Sequence, residues 1–234
     1  PLILLLALSI NGTSKTLPIK YPIEKEIVNS RSNIAINEIP ISSPLTKALA
    51  IEKVMANKLY VAGTEPRSGK SAIILGLMEL LTRNIKKVSF FKPLIEADYS
   101  RVGKLKRDNT INLIKRHYHL CADYHEMYAY TVAEASQLIA LGKNAELHDG
   151  IMAKYNSLAA KSDFILCEGI ELEGATASFD FDLNVDISNN LGCPLMLVAG
   201  ARDKTVGELV RSIKVYSESL AERSCDLVAT IVNR

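Results

Sequence analysis

The chain has 234 residues, 48% of them apolar, which is enough for one α/β domain with a real core or for two small ones. Net charge is +2, from 28 basic and 26 acidic side chains; residues 1–54 hold six basic and four acidic ones, leaving 22 of each sign in the rest. A neutral body gives no electrostatic case for nucleic acid or an anionic membrane as the main partner.

The chain starts at Pro1 with an apolar run, Leu2 to Leu8, too short to span a bilayer and lacking a basic flank or a clean cleavage site. Residues 10–50 mix Ser, Thr, Asn and Pro with isolated Ile and keep no sustained period, so weak or no structure is expected there. Met55 reads as the initiator and residues 1–54 as an upstream extension; an ordinary disordered arm is the alternative. The body is then residues 55–234.

Leu59–Gly63 reads as a strand, Lys70–Thr82 as a helix and Val88–Lys92 as a second strand. Asn109–His117, Thr131–Leu141 and Ala145–Lys161 read as helices, with Thr131 an N-cap and Gly142 a stop. Phe164–Cys167 is a fully apolar strand, Leu183–Leu191 a helix stopped by Gly192, and Pro194–Gly200 a buried strand. Val206–Ala221 is a long amphipathic helix and Leu227–Val232 the last strand. Strands that are continuous apolar runs, alternating with helices, predict a mostly parallel, doubly wound sheet covered on both faces. Ligands of such sheets sit at the carboxyl ends of the strands. The segment at 64–71, Lys92, Glu168, Gly200 and Asn233 all fall there.

The segment Gly63-Thr64-Glu65-Pro66-Arg67-Ser68-Gly69-Lys70-Ser71 lies between an apolar strand and an apolar-periodic helix. Gly69-Lys70-Ser71 is the end of a phosphate-binding loop, in which backbone N–H groups and a helix N-terminus wrap an anion. Lys70 would reach terminal phosphates and the Ser71 hydroxyl would ligate Mg²⁺. Gly63 stands one residue early and Thr64 holds the usual Gly place; an ordinary strand-to-helix turn is the alternative. The extra lysine of partitioning-type ATPases is absent. The expected ligands are ATP or another nucleotide and Mg²⁺, with Thr64, Arg67, Ser68, Gly69, Lys70 and Ser71 as the loop residues that bind them.

Glu168 follows a strand where a hard cation bridging phosphates finds a carboxylate, or else it caps a helix. Lys92 would project toward the terminal phosphate, or else it is a solvated strand-end lysine. Asp180, Asp182 and Asp186 are explained by helix N-terminal charge. His117, Cys121 and His125 have i, i+4, i+8 spacing, but the Tyr-rich stretch 117–130 keeps no helical period, and a loop is preferred over a zinc site. The basic run Arg101, Lys104, Lys106, Arg107, Lys115 and Arg116 reads as a solvated face. The four cysteines are far apart in sequence and read as reduced thiols of a cytoplasmic protein, with Cys167 and Cys193 in the core.

Gly63-Thr64 with Gly69-Lys70-Ser71, Phe91-Lys92-Pro93, Cys167-Glu168-Gly169 and Ile231-Val232-Asn233 resemble the dethiobiotin synthetase-like P-loop fold, shared with cobyrinic acid amidases. The early Gly63 is normal in that family. Asp108-Asn109, Glu126-Met127-Tyr128 and Leu183-Asn184-Val185-Asp186-Ile187 make residues 58–234 most similar to the N-terminal domain of long phosphate acetyltransferases. The resemblance implies that Lys70 and Ser71 hold phosphate and Mg²⁺, that Asp108 and Glu168 complete the metal shell, that Lys92 contacts the transferred phosphate, and that Asn233 faces adenine. It also implies a regulatory or assembly role, self-association through a parent enzyme, and acetyl transfer by a separate C-terminal domain absent here, so that the chain is a C-terminally incomplete fragment. Two alternatives stand beside it. An ATP-dependent ligase is disfavoured by the bulk of Leu94-Ile95-Glu96-Ala97 and by Ile170-Glu171-Leu172 where a Gly-rich loop is needed. The other is a structural oligomerisation domain with a relic loop.

Overall fold

The computed structural model describes residues 7–10, 13–16, 57–96, 108–172 and 176–233. The expectations for the rest of residues 1–54 and for the basic residues 101–107 lie outside them. The described elements are β1 Ala7–Ile10, β2 Thr13–Thr16, β3 Lys58–Gly63, α1 Lys70–Asn84, β4 Val88–Ile95, α2 Asn109–His117, β5 Tyr128–Thr131, α3 Val132–Ala140, α4 Asn144–Ala159, β6 Phe164–Glu168, α5 Ala177–Asn190, β7 Leu195–Gly200, α6 Val206–Glu222 and β8 Leu227–Asn233.

The sheet runs β2-β1-β8-β7-β3-β6-β4-β5. The six strands from β8 to β5 pair parallel throughout. β1 and β2 form an antiparallel pair whose first strand meets β8 through Ala7 and Leu8. Side chains of a strand alternate between faces, so each apolar run feeds two cores. Leu59, Val61, Phe90 and Leu166 pack with Ile74, Met78 and Ile111 under α1 and α2. Tyr60, Ala62, Phe91, Ile165 and Cys167 pack with residues of α3, α4, α5 and α6 on the other face. β3, which leads into the candidate loop, lies between β6 and β7 in the middle of the sheet.

β1 and β2 are paired strands in or at the edge of the segment expected to hold weak or no structure, and three further elements differ from expectation. β5 was expected to be loop; it pairs with β4 through Lys92↔Tyr128 and Leu94↔Tyr130. α5 starts six residues before the expected Leu183, at Ala177, where the Thr176 side chain accepts from the Phe179 amide. β4 continues past Pro93 to Ile95 because pairing with β6 ends at Phe91↔Cys167, so the face where Pro93 lacks an N–H needs no donor. α2 ends at His117, so His117, Cys121 and His125 do not share one helix face. Asp180 is buried within the first turn of α5, and Asp182 pairs with Arg223 at 2.6 Å.

Candidate functional site

The carboxyl ends of β3, β4, β6 and β8 bring the candidate residues together. β3 delivers the loop, and the loop ends at Gly69 with φ +86°, directly before α1. A side chain there would be strained, and a Cβ would stand 1.9 Å from Asn233 Nδ2, so glycine is the residue that fits. Asn233 Nδ2 donates to the Ser68 carbonyl at 2.9 Å, which makes Asn233 a brace on the loop. Further braces come from α6 and the turn before it. Tyr216 donates its hydroxyl to the Thr64 carbonyl at 2.7 Å, and Lys204 pairs with Glu65 at 2.6 Å.

The N-terminus of α1 carries no side-chain cap and no acidic residue in its first turn. Its amides and dipole therefore remain available to an anion. Lys70 is nearly buried, and its ammonium donates to the Gly169 carbonyl at 2.5 Å and pairs with Glu171 Oε1 at 3.2 Å. Thr64 Oγ1, Ser68 Oγ and Glu168 Oε2 are buried without a hydrogen-bond partner. Asp180 Oδ1 is a fourth such oxygen, and buried oxygens of this kind cost stability unless a partner serves them. Arg67, exposed at φ +62°, lies at the outer turn of the loop.

Glu168, at the end of β6, is 2% exposed. Burial raises its carboxyl above the usual carboxylate range, while Lys92 and Lys70 draw it back and Asp108 and Glu171 reinforce the rise. The Ser71 hydroxyl stands 3.4 Å from Glu168 Oε1. Lys92 Nζ lies 2.8 Å from Asp108 Oδ2 and 3.9 Å from Glu168 Oε2. It is therefore an ion-paired residue inside the site and not a solvated strand end. Asp108 Oδ1 accepts from the Ile111 amide at 3.0 Å and caps α2. Both Asp108 oxygens are thus hydrogen-bonded, whereas Glu168 Oε2 has only the Lys92 ammonium at 3.9 Å and no hydrogen bond. Ser71 and Glu168 form a donor pair suited to a magnesium ion that takes its other ligands from phosphate and water. Asp108 reaches that group through Lys92.

Two residues that sequence reasoning missed complete the site. Glu171 sits on Lys70. Asn184, in α5, is buried and accepts from the Tyr60 hydroxyl at 2.8 Å and the Ile170 amide at 2.7 Å, while donating to the Ile170 and Asp180 carbonyls. Asp180 Oδ2 accepts from the Leu172 amide at 3.2 Å. Together they fix the turn that presents Gly169 to Lys70. The only sequence signal for this was the polar residue Asn184 amid apolar neighbours. Leu94 and Ile95 are buried in the core, so their bulk does not line the site and no longer weighs against a ligase.

A phosphate acetyltransferase of Nitratidesulfovibrio vulgaris is 44% identical over 180 residues, 77% of this chain and 25% of that protein. A phosphate acetyltransferase of Synechocystis sp. is 34% identical over the same shares. The chain spans about a quarter of the length of these curated relatives. The kinase domain of the Escherichia coli tyrosine kinase ETK aligns with TM-score 0.49 at 14% identity, over 93% of this chain and 88% of that one. The two phosphate acetyltransferases bear out the likeness to the N-terminal region of that enzyme drawn from the sequence. The profile described as AAA domain matches residues 57–234, and the chain belongs to that family of P-loop proteins.

Proposed function

We infer that residues 57–234 form the N-terminal nucleotide-binding and regulatory module of a phosphate acetyltransferase. In this reading the transfer of acetyl from acetyl-CoA to phosphate is done by a C-terminal domain of a parent protein that self-associates in the cytoplasm. The observation that carries the nucleotide part is the set of orphaned buried oxygens, Thr64 Oγ1, Ser68 Oγ and Glu168 Oε2, beside the uncapped start of α1. The relatives' names support the enzyme part.

When bound, Mg²⁺ would neutralise phosphate charge. Ser71 and Glu168 would hold it, with Asp108 behind Lys92. Lys70 and the α1 amides would take the phosphates, Arg67 would lie at their outer edge, and Asn233 would keep Ser68 and Gly69 in place beside the nucleoside. The test is calorimetric titration of Mg·ATP into the chain and into Lys70→Ala. Binding lost on substitution supports the reading; equal binding, or none by any variant, overturns it. ATP turnover favours the second reading, an ATP-dependent ligase, to which the placement of Lys92 beside Glu168 is also suited. Assembly unchanged by Lys70→Ala and no nucleotide bound would favour a structural domain with a relic loop.

A further inference from the structure

The ammonium of Lys70 is the group that a terminal phosphate must reach, and a carboxylate already holds it. Glu171 Oε1 lies 3.2 Å from Lys70 Nζ. The same oxygen stands 3.5 Å from where a Cβ on Gly63 would lie, so it hangs over the start of the loop, inside the bowl. The Lys70 side chain is 4% exposed and that of Glu171 36%, so the carboxylate is the outer partner, with solvent on its far side.

The backbone on both sides of Glu171 is pinned to α5. Ile170 exchanges two hydrogen bonds with Asn184, and the Leu172 amide donates to Asp180. Its carboxylate can therefore leave Lys70 by rotating about side-chain torsions, with the turn in place. Gly169 keeps its own hold on Lys70 through its carbonyl. The two bonds on the ammonium thus differ in kind: one belongs to fixed backbone, the other to a side chain free to swing.

We propose that Glu171 is a displaceable plug, a built-in carboxylate that takes the place of a phosphate on Lys70 and sets the affinity of the loop for nucleotide. This rests on the nucleotide reading above and adds its regulation. A phosphate arriving at Lys70 must break the Lys70–Glu171 pair and then lie beside a carboxylate of like charge. Ligands that bring a metal ion overcome this, and weakly charged anions do not. Whatever draws Glu171 outward raises the affinity of the loop without touching it.

The experiment is titration of Mg·ATP into the full chain, Glu171→Gln and Glu171→Asp, each also carrying Lys70→Ala as a control, with circular dichroism to show that every variant is folded. The expected result is binding about 3–10-fold tighter in Glu171→Gln, in the range a partly exposed ion pair commands, with Glu171→Asp intermediate because its carboxylate is one methylene shorter. Lys70→Ala abolishes the gain. Binding by Glu171→Gln where the unaltered chain shows none also supports the plug. If the unaltered chain binds Mg·ATP and Glu171→Gln binds equally or more weakly, the plug is overturned and the nucleotide reading stands. If neither binds, both are overturned.

Discussion

Lys92 and Asp108 pair at 2.8 Å although the first lies within β4 and the second caps α2, with 15 residues between them in the chain. Lys92 also stands 3.9 Å from Glu168 Oε2. One ammonium thus neutralises two largely buried carboxylates.

Replacing Lys92 with Met leaves both acids without their cation, and the expected loss is about 3 kcal/mol at pH 7, read from urea unfolding. Burial pulls the Lys92 ammonium down, but Glu168 and Asp108 together outweigh it and raise the value above 10.5. Its stabilisation is therefore complete below the unfolded value and is lost as pH rises through the folded one. Lys92→Met should lack that alkaline decline; a variant that keeps it would show that other groups cause it.

Glu168 acts in the opposite direction to an ordinary paired acid. Its folded value lies above 4.5, chiefly through burial. Stability from its protonated form is present below the unfolded value and lost as pH rises through the folded one. Glu168→Gln should flatten the fall in stability as pH rises above 4.5 and should remove the Mg²⁺ dependence of nucleotide binding. An unchanged pH profile would place the desolvation cost elsewhere.

Gly69→Ala puts a side chain at φ +86° and into Asn233. Strain and displacement of the Asn233 amide should cost about 2 kcal/mol and weaken nucleotide binding more than tenfold. A melting temperature within a degree of the parent would contradict the close contact.

Asn184→Leu keeps the branched shape but strands the Tyr60 hydroxyl and both polar groups of Ile170. The expected cost is about 3 kcal/mol, with faster proteolysis near residues 169–172 as a second readout. Destabilisation without local cleavage would show that the network serves the core and not the turn.

Cys121 is exposed, whereas Cys167, Cys193 and Cys225 are buried. One thiol should react with an aromatic disulfide reagent in the native protein and three more only after unfolding. Rapid labelling of a second thiol would mean that one of the two cores opens readily.

The parallel sheet was legible because each central strand is buried on both faces and so reads as an unbroken apolar run, as in Leu59–Ala62 and Leu195–Ala199. β5 was not, because its four residues are only half-buried at the rim and their tyrosines carry no period of their own; parallel pairing with β4 makes the strand. The start of α5 was hidden for a related reason. Phe179 is exposed while Asp180 is buried, so the first turn reverses the usual hydrophobic pattern. The loop from Thr64 to Ser71 and Glu168 could be read because their positions at strand ends are set by local order. Glu171 and Asn184 meet the site only through tertiary contacts, and no spacing in the chain announces them.

The central place of β3 also dictates which parts of the loop can breathe. The Thr64 amide is bonded to the Val198 carbonyl at 2.9 Å and the Gly169 amide to Val61 at 2.8 Å, both anchored in the middle strands. In a hydrogen-exchange experiment these protons should be released only when the whole sheet opens. The Ser68 amide, held at 3.3 Å by the Glu65 carbonyl within the loop itself, should be released by local opening and be slowed as soon as an anion fills the bowl. The loop thus behaves as a rigid stem with a compliant lip, and ligand entry is recorded in the protection of the lip alone.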